Sequence, residues 1–357
     1  MSLKLENISV DNENEVILKD ISYEFQPGKI YVLIGRTRSG KTSMMRLVSG
    51  LLASDEGSIL FRDKDFDGVP IWDRNISMVY QQFINYPNRT VLQNVEFPLL
   101  RAGISKADAK ARALAMIEKV GLTSFLDRKP GQLSGGQQQR VAIARALVRN
   151  ADIVLLDEPL MNLDFKLREQ LREEFRELFT SAKEAVTIYA TTEPAEALIL
   201  GDELLVLHEG RIIQFGKPAD VYENPANVDV ARIINDPPMT ILNAKIQDGQ
   251  IIVGGNIKFK SPKHLGDQSN GDYQIGVRAN EIVMNGKGDL ELEGTITLVE
   301  VSGSETLIYA DTNAGEVIIQ QEGIHNLEIG QKVLAAIDPK RIFLFDGSGS
   351  LSSAPGN

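Results

Sequence analysis

The chain has 357 residues, 43% apolar and 24% charged, enough for two domains each with its own core. A net charge of −11 argues against a general nucleic-acid binder, which needs a basic face, so no nucleic-acid partner is expected. Cysteine is absent, which excludes disulfides, thiolate metal sites and a cysteine nucleophile, and fits a cytoplasmic protein.

The opening MSLKLENISV lacks the basic start and apolar core of a signal peptide. No apolar run approaches the roughly 18 residues that span a bilayer, so any membrane attachment is expected to go through partners. Residues 1–30 read as short strands joined by turns, the clearest turn being Gln26-Pro27-Gly28-Lys29. Ile30–Ile34 is a continuous apolar, β-rich run, suited to a strand buried on both faces. Gly35–Gly40 interrupts it, and Lys41–Leu51 reads as a helix. Ser105–Val120 reads as another, opened by Ser105 with Asp108 behind it and closed by Gly121. Ala151–Leu156 and Val186–Thr191 are further buried strands, with a charged amphipathic helix, Asp164–Lys183, between them. This alternation predicts an α/β domain with a mostly parallel sheet over residues 1–235. At Asp236-Pro237-Pro238 the character changes. Alternating strands such as Leu292–Glu300 and Thr306–Ala310, with Gly-rich turns, predict a separate all-β, barrel-like domain over residues 236–346. The Gly/Ser-rich tail Gly347–Asn357 is expected to be disordered.

Gly35-Arg36-Thr37-Arg38-Ser39-Gly40-Lys41-Thr42, continued by Ser43, fits the phosphate-loop pattern G-x-x-x-x-G-K-[ST]. The glycines let backbone N–H groups curl around phosphate oxygens. Lys41 reaches the β- and γ-phosphates, and the Thr42 hydroxyl suits Mg²⁺. The following helix turns its positive end to the same anion. A glycine turn matching by accident would not be expected between a buried strand and a helix. Ile153-Val154-Leu155-Leu156-Asp157-Glu158 supplies a second half: Asp157 to hold Mg²⁺ through water, and Glu158 to polarise an attacking water as general base. An apolar strand ending in two acids is commonplace alone; far downstream of a phosphate loop it takes on this meaning.

Between these halves, Leu133-Ser134-Gly135-Gly136-Gln137-Gln138-Gln139-Arg140 opens a helix and offers free N–H groups and a hydroxyl to a second anion. This run resembles the signature motif of the ATP-binding-cassette (ABC) ATPases, and with the phosphate loop it makes the chain look like an α/β P-loop NTPase of that family. The resemblance implies ATP and Mg²⁺ as cofactors, and two subunits paired head to tail, so that Ser134, Gly135, Gly136 and Gln137 close on the ATP of the other subunit. Gln81 falls where the family has its Q-loop, contacting Mg²⁺ and sensing the membrane partner; Leu163-Asp164 resembles the D-loop. Phe83–Asn150 looks like the helical subdomain that docks a permease. Gly276–Ile282, Gly303–Thr306 and Gly210–Gly216 resemble the carbohydrate and polyol importer branch, whose second domain is OB-like. That branch implies two transmembrane permease subunits, a second ATPase subunit, a periplasmic or lipoprotein solute-binding protein, and a peripheral position on the cytoplasmic face of the cell membrane.

Three positions depart from the family. Thr192, in Thr191-Thr192-Glu193, stands where the family has its switch His, and a hydroxyl is shorter and cannot become cationic. Arg38 replaces the mid-loop Gly, at a position where the general pattern allows any residue, so that binding can survive and the extra cation can even strengthen it. Asn12 aligns with the aromatic that stacks on adenine, a loss worth ~1–3 kcal/mol by analogy with base stacking. The histidines, His208, His264 and His325, are expected on the surface away from the site. Glu158 is retained, as is the whole signature. The pattern points to a subunit with an impaired site of its own beside a different, intact ATPase; a slow homodimer is the alternative. A soluble ABC ATPase acting on DNA or ribosomes predicts coiled coils or two cassettes in one chain, and neither is present. A non-hydrolysing, nucleotide-gated subunit fits Thr192 but not Glu158.

Overall fold

The computed structural model describes residues 2–12, 15–82, 84–161, 168, 172 and 184–356, in two compact units meeting at Pro218 and Ala219. The segment read as the helix Asp164–Lys183, with Leu163-Asp164 before it, lies outside the described residues apart from Arg168 and Arg172.

In the first unit, β1 (Leu3–Asn12) and β2 (Glu15–Phe25) pair antiparallel. With β4 (Glu56–Phe61) and β5 (Lys64–Asp65) they form a sheet in the order β2-β1-β4-β5. These are longer strands than expected. The buried residues Leu3, Leu5, Ile8 and Val10 break step once, because the β1–β2 register shifts between Leu5 and Ile8. Such a shift interrupts the period-two pattern by which a strand is recognised.

The second sheet runs β10-β9-β3-β8-β7-β6. β3 (Ile30–Ile34), β6 (Ile76–Val79), β7 (Ile153–Asp157), β8 (Val186–Thr191) and β9 (Glu203–His208) are parallel, and β10 (Arg211–Gly216) is an antiparallel edge. β3, β7 and β8 are buried along their whole length, as continuous apolar runs require. A core containing Leu3, Ile8, Phe25, Leu33, Met45 and Ile188 fills the space between the sheets and α1 (Lys41–Ser49). α1 stops at Gly50, whose left-handed backbone returns an N–H to Leu47 O.

Three helices form a smaller body: α2 (Val91–Arg101), α3 (Lys106–Lys119) and α4 (Gly135–Leu147). They bury Val95, Leu99, Ile117 and Val141 against one another. Each such side chain contributes about 1.5–3 kcal/mol on leaving water. The caps are as the sequence indicates: Ser105 Oγ accepts from Asp108 N at 3.2 Å.

The second unit opens with two short helical segments, Pro218–Glu223 and Val228–Ile233, and is otherwise built of β-strands. One sheet runs β13-β12-β11-β14-β20-β21, from β11 (Thr240–Gln247), β12 (Gln250–Val253), β13 (Ile257–Lys260), β14 (Gly271–Val277), β20 (Phe343–Asp346) and β21 (Leu351–Ser353). The other runs β15-β19-β16-β17-β18, from β15 (Ile282–Met284), β16 (Leu290–Val301), β17 (Glu305–Thr312), β18 (Gly315–Glu322) and β19 (Lys332–Ile337). Alternate residues of both sheets, among them Leu242, Ile275, Leu292, Ile308, Ile319 and Leu344, make the core.

Two expectations need correction here. The unit begins at Ala219, not at residue 236. Arg278 donates to Tyr222 O at 2.7 Å with its guanidinium 3.9 Å over the Tyr222 ring, and Ala231 packs with Met239, Phe343 and Phe345. The composition change at Asp236 thus marks the end of a helix, Val228–Ile233, not the edge of a core. Nor is the tail disordered: β21 pairs with β20, Phe345 facing Leu351. The Gly/Ser content serves the turn between them, where Asp346 Oδ1 accepts from Ser348 N and Ser350 N and Gly349 takes φ 84°.

Candidate functional site

The phosphate loop joins the carboxyl end of β3 to the first turn of α1. Gly35 admits no side chain, since a Cβ there would fall against Leu207 O and Ser39 Oγ. Gly40 takes φ 105°, which side chains rarely adopt, and a Cβ would meet Leu18 Cδ2 at 2.9 Å. The loop therefore curls tightly and leaves a cleft of about 520 Å³. Ile17, Thr37, Arg38, Ser39, Gly40, Lys41, Thr42, Ser43, Gln81, Glu158 and Met161 line it. Gly35 and Arg36 contribute carbonyls: Lys41 Nζ donates to Gly35 O at 2.8 Å and to Arg36 O at 3.2 Å. Lys41 is only 4% exposed; burial pushes its ammonium down, and Glu158, 3.6 Å away, pulls it back up.

The β7 exit faces this loop. Thr42 Oγ1 donates to Asp157 Oδ1 at 3.2 Å. Asp157 is 4% exposed, and burial pushes its carboxyl up against the opposing effects of the Thr42 bond and the Lys41 charge. Glu158 has a left-handed backbone (φ 46°), held by its N–H bonding Ala190 O at 2.9 Å. Such strain in a non-glycine residue is typical of functional turns. Gln81 lines the same cleft, with Nε2 2.9 Å from Met161 Sδ. The structure thus gathers Lys41, Thr42, Gln81, Asp157 and Glu158 at one place. An anion fits: Ser39 Oγ is buried there with no hydrogen-bond partner, a donor that a phosphate oxygen would satisfy.

Ser134, Gly135, Gly136 and Gln137 do not line this cleft. They begin α4, where Ser134 Oγ accepts from Gln137 N at 3.4 Å while Gln137 Oε1 accepts from Ser134 N at 3.0 Å. Ser134 and Gly135 are exposed. A second opening, about 420 Å³, lies between β6, α2 and α4, lined by Trp72, Met78, Tyr86, Phe97, Arg145 and Arg149 among others. Of the histidines, His208 ends β9 half-buried and 3.8 Å from Glu209, outside the cleft lining. His264 and His325 are also only partly exposed, their rings against Ile342 O and Glu322 O.

β8 runs beside β3 with Thr191 level with Ile34, so Thr192 emerges at the same sheet edge as Gly35. Behind it lies a group that the sequence reading missed. Glu196, 2% exposed, accepts from Thr191 Oγ1 at 2.7 Å and Tyr189 OH at 2.9 Å, both on Oε2. Its other oxygen is 3.9 Å from Arg172. Thr191 Oγ1 also accepts from Glu193 N at 3.0 Å, so the carboxylate fixes the backbone on either side of Thr192. Burial pushes the Glu196 carboxyl up, against those bonds and the Arg172 charge. Its one sequence signal was an acid flanked by Ala195 and Ala197 in a short helix that must bury a face. The Asn12 side chain lies outside the described residues.

Residues 18–161 match the ABC transporter family and residues 275–345 the TOBE domain. An sn-glycerol-3-phosphate import ATP-binding protein, UgpC of Jannaschia sp. (strain CCS1), is 34% identical over 92% of this chain and 93% of that protein. A maltose/maltodextrin import ATP-binding protein, MalK of Yersinia pestis bv. Antiqua, is 35% identical over 94% of this chain and 93% of that protein. The xylose/arabinose import ATP-binding protein XacK of Haloferax volcanii is 33% identical, over 93% and 88%. Among solved structures, a dimeric post-hydrolysis state of the ATP-binding cassette MJ0796, bound to ADP and Pi, matches at 30% identity and TM-score 0.54. It covers 60% of this chain and 98% of that one. With such likeness running along nearly the full length of its relatives, the chain belongs to the ATP-binding proteins of the ABC transporter family.

Proposed function

We propose that this chain binds and hydrolyses ATP to drive import of a carbohydrate or polyol, such as glycerol or a glycerol phosphate, through two transmembrane permease subunits supplied by a solute-binding protein. The observation that carries the reading is the convergence of Lys41, Thr42 and Glu158 on one cleft, with Asp157 bonded to Thr42 behind it. The relatives' import roles support the substrate class. Among the described residues no helix is long and apolar enough to cross a membrane, which fits a peripheral subunit. The opening lined by Trp72 and Phe97, with Trp72 80% exposed, suits a docking helix of the permease.

Lys41, the loop N–H groups and the start of α1 would hold the triphosphate. Thr42, Asp157 and Gln81 offer the oxygen atoms that Mg²⁺ prefers. Among the described residues no cluster of three acidic or His side chains exists, so such a cation would complete its shell with phosphate oxygens and water. When bound, Mg²⁺ neutralises charge developing on the phosphates. Glu158, whose carboxylate lies 3.6 Å from Lys41, would accept the proton of an attacking water.

Thr192 favours the finer reading of a pair with a second, non-identical ATPase subunit. Its hydroxyl replaces the switch imidazole, while Ser134 and Gly135 stand exposed at the start of α4, where a partner's nucleotide would meet them. The basic assignment is tested by thermal unfolding with MgATP. At a hundredfold excess over Kd the parent chain should gain about 2.7 kcal/mol. Lys41→Ala should gain almost nothing, and an equal gain would remove the assignment.

A further inference from the structure

Arg38 sits in a conformation that a side chain disfavours. Its backbone is left-handed (φ 69°), a region that glycine enters freely and a Cβ resists. It is exposed and lines the cleft beside Lys41. No described carboxylate forms an ion pair with it. Lys41, by contrast, shares its charge with Glu158 at 3.6 Å. The adjacent Ser39 Oγ is buried, 4% exposed, and unpartnered. Among the described residues the cleft thus holds one cation paired with a carboxylate, one cation without such a pair and one unsatisfied hydroxyl, and Thr192 offers no charge.

We propose that Arg38 is a second phosphate-binding cation, which makes this site favour a nucleoside triphosphate over a diphosphate; the inference rests on the nucleotide reading above. A guanidinium fork matches phosphate oxygens in pairs, and an extra cation gains most from the ligand with the extra charge. Because the group is exposed, its contribution is screened by salt. A bystander Arg38 would add only backbone strain, and glycine there would relieve that strain without touching affinity.

The test is calorimetric titration of the parent chain, Arg38→Gly, Arg38→Lys and Lys41→Ala with ATP and with ADP, at low and high ionic strength. Arg38→Gly should weaken ATP binding about tenfold and ADP binding clearly less. It should also flatten the salt dependence, while the ligand-free melting temperature is no lower than the parent's. Arg38→Lys, which keeps the charge, should recover most of the affinity. If Arg38→Gly binds ATP as the parent does while Lys41→Ala has lost it, Arg38 is a bystander and the nucleotide reading stands. If Lys41→Ala also binds as the parent does, the nucleotide reading fails and this inference with it.

Discussion

Replacing Glu196 with alanine leaves the hydroxyls of Tyr189 and Thr191 buried without their acceptor and removes a carboxylate 3.9 Å from Arg172. Each stranded hydroxyl costs about 1–3 kcal/mol. Breaking a buried charged group from its partners costs about 3–5 kcal/mol in all. For a unit of this size the melting temperature moves roughly 2–4 °C per kcal/mol. The first unit should therefore melt at least about 6 °C lower, read by calorimetry on the full chain. Glu196→Gln presents one carbonyl oxygen to both hydroxyls and should cost less than half as much. The pH dependence has a definite sign. Burial holds the folded carboxyl above its usual value, so the folded state keeps a proton that the unfolded chain has already released. The stability it contributes is fully present below the unfolded pKa and is lost as pH rises through the folded one. The advantage of the parent chain over Glu196→Gln should therefore shrink as pH climbs upward from the ordinary carboxylate range. A drop under about 2 °C for the alanine variant, or an advantage that grows with pH, would refute the reasoning.

In the reconstituted transport complex, Glu158→Gln should reduce ATPase activity only modestly, whereas Ser134→Arg should nearly abolish it by blocking a partner's nucleotide; equal loss from both would sink the unequal pair. A chain truncated after Asn235 should keep ATP binding but carry the apolar residues Val228 and Ala231 without their cover from the rest of the second unit. It should aggregate more than one truncated after Pro218, as light scattering would record, and equal behaviour would argue against the boundary at residue 219.

What could be read from the residues alone follows from how each signal arises. β3, β7 and β8 announce themselves because burial on both faces demands an unbroken apolar run. The phosphate loop is legible because its shape needs glycine at set positions, and α3 because Ser105 and Gly121 mark its ends. The tail strand was hidden because glycine and serine report on the turn at Asp346, and that turn positions Leu351 on a neighbour distant in sequence. Glu196 was hidden for a related reason: its partners reach it only once β8 and the following helix have packed. The left-handed backbone at Glu158 has no mark in the sequence, and at Arg38 the one sign is the glycine that the family resemblance puts there.

The parallel order of the central sheet also bears on how the protein comes into being. Thr42 and Asp157, whose side chains meet, stand 115 residues apart, and Ile34 must find Thr191. Each such pairing closes a long loop before any contact repays the lost entropy, which is the topology of slow folding. During synthesis the phosphate loop leaves the ribosome well before β7 and β8 exist. Until they dock it lacks both its carboxylates and the strand beside it. Nucleotide recognition is then a late event in maturation. ATP would act by retarding unfolding of the finished unit, with little power to hasten its assembly.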